Sequence, residues 1–262
     1  MARGKGSKTR KASTAAATKT PGGDPAAANP QGADLQTAFA NAISALQSGE
    51  MKHASIQFGF CYVAAEIALP HQEPEMQTNL RQYLWQCALY RAACLTTFES
   101  PREHEEAQKC LQQCIQLAEA LQDTEKLAEA LGLTASLQAR MGQCEAALTT
   151  LDRLAALATE HALATYAQVA LVHRGTALTG LQRFGEAIAA LARAEQMAAD
   201  AGDKRAEGNA CIELAKAYSA AGKGKPALLA GRRALGLAES EGDFQRVQLV
   251  QAQLAKELAF VE

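Results

Sequence analysis

Apolar residues recur along this chain at two spacings at once. Within segments of roughly four to five turns they fall at i, i+3, i+4 and i+7, the spacing of one buried helix face. Between segments they recur every 40 residues. Ala107, Ala147, Ala187 and Ala227 form one column, Ala118, Ala158, Ala198 and Ala238 a second, and Leu117, Leu157, Met197 and Leu237 a third. Leu111, Leu151 and Leu191 form a fourth, which breaks at Gly231. A fixed period in this range marks a stacked repeat array, in which a unit too small to bury its own apolar face shares one core with its neighbours.

The pattern predicts helices at about 103–121, 125–141, 144–160, 163–181, 184–200, 204–221 and 225–240. A last helix over 244–260 carries Val247, Val250, Leu254 and Leu258 beside Gln and Lys, as a capping helix with one wet face would. Gly202-Asp203 and Gly242-Asp243 are matching stop and start signals, glycine ending one helix and aspartate capping the next. Upstream, Leu35, Phe39, Ala42, Ile43 and Leu46 share a helix face over 35–47, with Asp34 as N-cap and Gly49 as terminator. Ala54, Phe58, Cys61, Ala65 and Leu69 follow on a second helix that Pro70 stops, and residues 70–74 form a turn. A long helical pattern over 75–98 holds Leu80, Leu84, Leu89 and Leu95, together with Tyr83, Trp85 and Tyr90. Ser100-Pro101 opens the next helix. Ala54 and Ala107 are 53 residues apart instead of 40. The first hairpins, over 35–121, are therefore atypical, and regular repeats run over about 125–242.

Composition sharpens this picture at the N-terminus. Residues 1–34 contain six Lys/Arg and two Asp, whereas 35–262 contain 20 Lys/Arg and 26 Asp/Glu, so the near-neutral total conceals a basic arm on an acidic body. Between Met1 and Leu35 there is no large apolar residue, and such a segment cannot offset the entropy of ordering itself. The expectation is a disordered arm with a basic front (Arg3, Lys5, Lys8, Arg10, Lys11 and Lys19) and a Pro/Gly/Ala spacer. It is read either as a plain solvated tail or as a contact for an acidic surface: a microtubule, nucleic acid or an acidic protein. Arg10-Lys11-Ala12-Ser13 resembles a basophilic kinase site, making Ser13 a candidate phosphosite. No apolar run approaches the roughly 18 residues of a membrane span. Nor does an apolar segment near the N-terminus suggest a secretory signal, and the expected location is cytoplasmic, with a cytoskeletal, ciliary or nuclear one as the alternative.

Seven cysteines, an odd number without disulfide-like spacing, point to a reducing compartment and to burial as small apolar residues. Cys110 and Cys114 lie one turn apart, but no second ligand pair accompanies them. The five histidines are scattered. Gly222-Lys223-Gly224-Lys225-Pro226 lacks the spacing of a phosphate loop and reads as a turn. No nucleophile–base–acid set and no dinucleotide fingerprint is present, so neither an enzyme nor a cofactor is expected.

Residues 129–154, EALGLTASLQARMGQCEAALTTLDRL, resemble the tetratricopeptide repeat, a helix–turn–helix unit. Leu214-Ala215, Tyr218, Gly222, Ala227 and Ala234 fit its pattern best, and Leu171, Gly175, Leu178, Ala187, Leu191 and Ala194 form the copy before. The 40-residue period resembles the longer units of polarity and synaptic scaffold proteins. Arg174 and Gln138 depart from the pattern at positions that are apolar and aromatic in the family. The resemblance, over about 35–262, implies a right-handed all-α solenoid of antiparallel helix pairs whose first helices line a concave groove. A peptide or protein segment held there would meet Arg140, Val172, His173, Thr176, Asn209, Lys216 and Ser219; the alternative is a plain solvated face. The positions of the family's carboxylate clamp hold Glu129, Gly132 and Ser136 and their counterparts in later repeats, so chaperone-tail binding is not expected. The implied role is a non-enzymatic adaptor or assembly subunit. The alternatives are a structural part of a cytoskeletal or ciliary assembly anchored by the arm, and a regulatory subunit of an enzyme.

Overall fold

The computed structural model describes residues 32–252, apart from 243, 245, 246 and 249. Among the described residues ten α-helices with both ends defined follow one another: α1 (Gly32–Gln47), α2 (Met51–Ala68), α3 (Pro74–Leu95), α4 (Pro101–Leu121), α5 (Thr124–Arg140), α6 (Cys144–Glu160), α7 (Ala164–Gly180), α8 (Phe184–Asp200), α9 (Lys204–Ala220) and α10 (Gly224–Glu241). A 3₁₀ turn, Leu69–His71, separates α2 from α3. Each helix packs on the one before and the one after. In addition α5 packs on α7, and α7 on α9. Helices that approach one another across repeats lie on the inner side of a stacked array, so α5, α7 and α9 form the inner row. The chain is an all-α solenoid.

The 40-residue columns are the core of this stack. Ala107, Ala147, Ala187 and Ala227 are fully buried, and Ala118, Ala158, Ala198 and Ala238 nearly so. Small side chains at these points let helix backbones approach, while Leu111, Leu151 and Leu191 fill the space between them. The column of Leu117, Leu157, Met197 and Leu237 sits half-buried at the margin. A series of clusters results, from Phe39 and Phe58 at the start, through Trp85, Leu131 and Leu154, to Leu191, Leu214 and finally Val250.

The turns share a device that the sequence shows only in part. Residues 122, 142, 162, 182, 202, 222 and 242 stand 20 apart, and all seven have positive φ, between 53° and 75°. Four are glycine, but Gln122, Ala162 and Gln182 adopt the same left-handed conformation. That conformation costs an L-residue roughly 1–2 kcal/mol. Ala162 has no polar side chain to offset it. Ala162→Gly is therefore expected to raise stability by about 0.5–1 kcal/mol, part of the gain being lost to the freer unfolded chain. Chemical denaturation would show the opposite sign if residue 162 had negative φ.

Most of the expected elements are found, with ends shifted by one to three residues. Helix α1 begins at Gly32, so Asp34 lies in its first turn and does not cap it. Asp123 and Asp203 do cap: their carboxylates accept hydrogen bonds from Lys126 N (3.0 Å) and Ala206 N (2.9 Å). Ser100 sits at the N-cap of α4, with Pro101 at the first helical position, but its side chain accepts no capping hydrogen bond. Of the capping helix expected over 244–260, Phe244, Val247, Gln248, Val250, Gln251 and Ala252 are helical, and Val250 is buried. Asp243 and residues 253–260 lie outside the described residues, as do the basic arm and Ser13.

Charged residues reinforce the stack at two scales. Arg153 on α6 reaches Glu119 on α4, and Arg174 on α7 reaches Asp152 on α6. These pairs are exposed and contribute little each. The unexpected Arg174 is accounted for by that pairing. A tighter cluster joins the last three helices, where Arg233 of α10 contacts Glu195 of α8 (2.6 Å) and Glu207 of α9 (2.8 Å). Glu207 is buried, so the guanidinium supplies the compensation a buried carboxylate needs.

Candidate partner-binding surface

The inner faces of α7 and α9 form a cleft of about 280 Å³, lined by Thr165, Gln168, Val169, Val172, His173, Asp203, Arg205, Ala206 and Asn209. Helical periodicity explains why these residues meet. Thr165, Val169, Val172 and Thr176 step along one face of α7, while Arg205, Asn209, Glu213 and Lys216 step along the facing side of α9. The buried face of each helix is occupied by Ala170, Ala177 and Leu178, and by Ala210, Leu214 and Ala217. Val169 and Val172 give the cleft an apolar side, and Gln168, Asn209, Asp203 and Arg205 supply amide, carboxylate and guanidinium groups.

Beyond Val172 the same surface continues through a polar cluster. Thr176 Oγ1 lies 3.2 Å from both the Val172 carbonyl and Glu213 Oε2. Lys216 Nζ donates to the other oxygen, Glu213 Oε1, at 2.6 Å. Burial lowers the pKa of His173, and the Glu213 carboxylate opposes that shift. The imidazole is thus held neutral around pH 7, where it offers one donor and one acceptor instead of a charge.

Of the seven residues expected in the groove, Val172, His173 and Asn209 line this cleft, and Thr176 and Lys216 meet around Glu213 at its end. Ser219 lies one turn beyond Lys216 on α9 and is half-buried. Arg140 is separate: it lines a smaller cleft of about 60 Å³ with Ala92, Ala93, Thr96, Leu133 and Ser136, between α3 and α5. Gln168, Arg205 and Glu213 were not among the expected residues. Glu213 was legible in principle, because it stands three residues before Lys216, where a helix brings opposite charges together. Gln168 was not, since a buried polar residue in an array core has no marker in one sequence.

The residues considered for other chemistry take structural places. All seven cysteines are buried and unpaired. Trp85 is 5 % exposed within the central core, with Lys126 Nζ 5.6 Å above its ring. Tyr90 stacks on Phe58, and the Tyr83 hydroxyl donates to the Leu35 carbonyl at 2.8 Å. Gly222 to Pro226 forms the turn between α9 and α10 and the first turn of α10. Among the described residues no group of three or more His, Cys, Asp or Glu is placed to hold a metal ion, and no helix is long and apolar enough to cross a membrane.

No protein-family model matches the chain, and no curated protein matches it. Solved structures do. A signal-transduction ATPase with a tetratricopeptide repeat sensor from Pyrococcus horikoshii superimposes with a TM-score of 0.60 at 15 % identity, over 86 % of this chain and 32 % of that one. The chain thus spans about a third of that protein's length. A putative kinesin light chain from Podospora anserina with nearly identical TPR-like repeats gives 0.57 at 15 % identity, over 79 % of this chain and 96 % of that one. PlcR from Bacillus thuringiensis, solved in complex with the peptide PapR7 and DNA, gives 0.54 at 14 % identity, covering 87 % and 74 %. At these identities the likeness is one of fold, and the fold is that of a tetratricopeptide-like repeat array.

Proposed function

We propose that this protein is a non-enzymatic adaptor that holds an extended segment of a partner protein along the inner face of α7 and α9. The observation that carries this reading is the cleft itself. It has an apolar side at Val169 and Val172, and a polar edge of Gln168, Asn209, Arg205 and the neutral His173. An extended peptide presents alternating side chains and unpaired backbone amides, and this combination meets both needs. The Thr176–Glu213–Lys216 cluster continues the track and would read a polar or charged side chain at one end of the peptide. That PlcR, an array of similar fold, was solved with a peptide supports the reading. The basic arm, with Arg3, Lys5, Lys8, Arg10, Lys11 and Lys19, adds a salt-sensitive contact to an acidic surface, and phosphate on Ser13 would weaken it.

The test is selection of peptides from a displayed random library on the full chain, followed by affinity measurement. Thr165→Trp fills the cleft from an exposed position, and Lys216→Glu sets a second carboxylate beside Glu213. Each is expected to weaken the selected peptides about tenfold or more, equal to roughly 1.4 kcal/mol, with the circular dichroism spectrum unchanged. Peptides that bind both variants as well as the parent would place the site elsewhere.

A further inference from the structure

Helix α2 is apolar on two opposite faces. Ala54, Phe58, Cys61 and Ala65 are buried on the side that packs against α1 and α3. Two residues further round at each step stand Ile56, Phe60, Val63 and Ile67, which are 50, 58, 48 and 49 % exposed. A helix that is hydrophobic all round belongs in an interior, and α2 has an interior on one side only. Elsewhere among the described residues the exposed large apolar side chains (Met76, Leu133, Leu229 and Phe244) stand singly on their helices.

The spacing of the stripe identifies its occupant. Ile56, Phe60, Val63 and Ile67 are separated by four, three and four residues, the alternation by which two helices interlock along a seam. The chain's own remaining segments do not suit it. Residues 2–31 contain no large apolar side chain, and α10, after which the C-terminal segment follows in sequence, is eight helices removed from α2. A lipid surface does not suit it either, because interfacial helices flank their apolar face with several Lys or Arg, whereas α2 has only Lys52 and also carries Glu66.

We propose that the stripe pairs with the same stripe of a second copy of this chain, antiparallel, about a two-fold axis passing between Phe60 and Val63. That register sets Ile56 against Ile67 of the second copy, and Phe60 against its Val63. Charge selects the direction. Exposed Lys52 stands just before the stripe and exposed Glu66 at its far end, while exposed Glu50 and His71 lie outside it, at the N-cap of α2 and in the 3₁₀ turn. Antiparallel pairing brings Lys52 of each copy towards Glu66 of the other and opposes the helix dipoles; parallel pairing would bring Lys52 to Lys52 and Glu66 to Glu66. The contact is self-complementary, as a closed two-fold dimer requires. Four half-exposed side chains amount to less than the roughly 800 Å² per partner of a standard interface, so the contact belongs to the weak, transient class.

The experiment is sedimentation velocity of the full chain from about 1 to about 300 µM. The expected result is a weight-average mass rising from the monomer value of 27.7 kDa towards twice that figure. Phe60→Glu and, separately, Ile67→Lys should remain monomeric throughout with unaltered helicity; two variants guard against misfolding of either one. Lys52→Glu should shift the midpoint to higher concentration, and adding Glu66→Lys should restore it. A parent chain that stays monomeric over the whole range overturns the proposal, as does a dimer that persists in both apolar-to-charged variants. In the first case, flotation with anionic lipid vesicles would show whether a membrane takes the stripe in place of a second copy.

Discussion

Leu191→Ala is expected to lower the stability of the array by about 2–5 kcal/mol and to reverse the effect of a second substitution, Gly175→Ala. Leu191 on α8 is fully buried in the cluster formed with Leu148, Leu178, Ala187 and Leu214. Gly175 on α7 faces it so closely that a Cβ there would stand 2.3 Å from Leu191 Cγ, and 2.7 and 2.8 Å from its two methyl carbons. In the parent chain Gly175→Ala gains helix propensity worth about 1 kcal/mol. It also forces a branched, fully enclosed side chain to move, at a cost of about 1–3 kcal/mol. The collision wins, and the substitution destabilises. With Leu191→Ala the obstruction is gone, the added methyl group enters the space left behind, and Gly175→Ala stabilises. A double-mutant cycle by chemical denaturation measures the coupling. Equal effects of Gly175→Ala in both backgrounds would mean that the two residues do not touch.

Phe58→Ala is expected to cost about 3–5 kcal/mol, with its effect confined to the start of the array. The Phe58 side chain is fully buried, stacks on Tyr90 at 5.3 Å, and meets the edge of Phe39 at 5.5 Å. It is the centre of the cluster that joins α1, α2 and α3 through Ala42, Ala45, Ala54 and Cys94. Helices in this stack touch only near neighbours, so lost packing propagates weakly. Hydrogen exchange should accelerate in α1–α3 and stay at the parent rate in α8–α10. Uniform acceleration along the chain would show that the array unfolds as one unit.

The two regions differ in how far the sequence disclosed them. Columns such as Ala107 to Ala227 located seven helices within a few residues, because close helix packing tolerates only small side chains at those points. Solved structures of tetratricopeptide-like arrays share the resulting fold. The start of α1 was read three residues late, because Gly32 and Ala33 give no amphipathic signal. Three of the left-handed turn residues were invisible, since Gln122, Ala162 and Gln182 carry no mark of their φ. In the groove, Val172, His173 and Asn209 followed from the positions they hold in the tetratricopeptide pattern. Arg140 follows the same pattern, yet it occupies a different cleft, because each inner helix borders two neighbours and periodicity does not say which neighbour a side chain joins. The outer stripe of α2 was not distinguished from the sequence, since a single sequence does not separate a face turned inward from one left open.

The left-handed residues spaced 20 apart have a mechanical consequence. Each is a joint of nearly the same geometry between two stiff rods, and the joints act in series. A small common rotation at every joint sums along the stack, so the ends travel far while no single helix–helix contact shifts much. The molecule is in this sense a spring, whose compliance is set by its turns. Glutamine or alanine in place of glycine narrows the range a joint can explore, so the joints at 122, 162 and 182 are expected to yield less than the glycine joints at 202, 222 and 242.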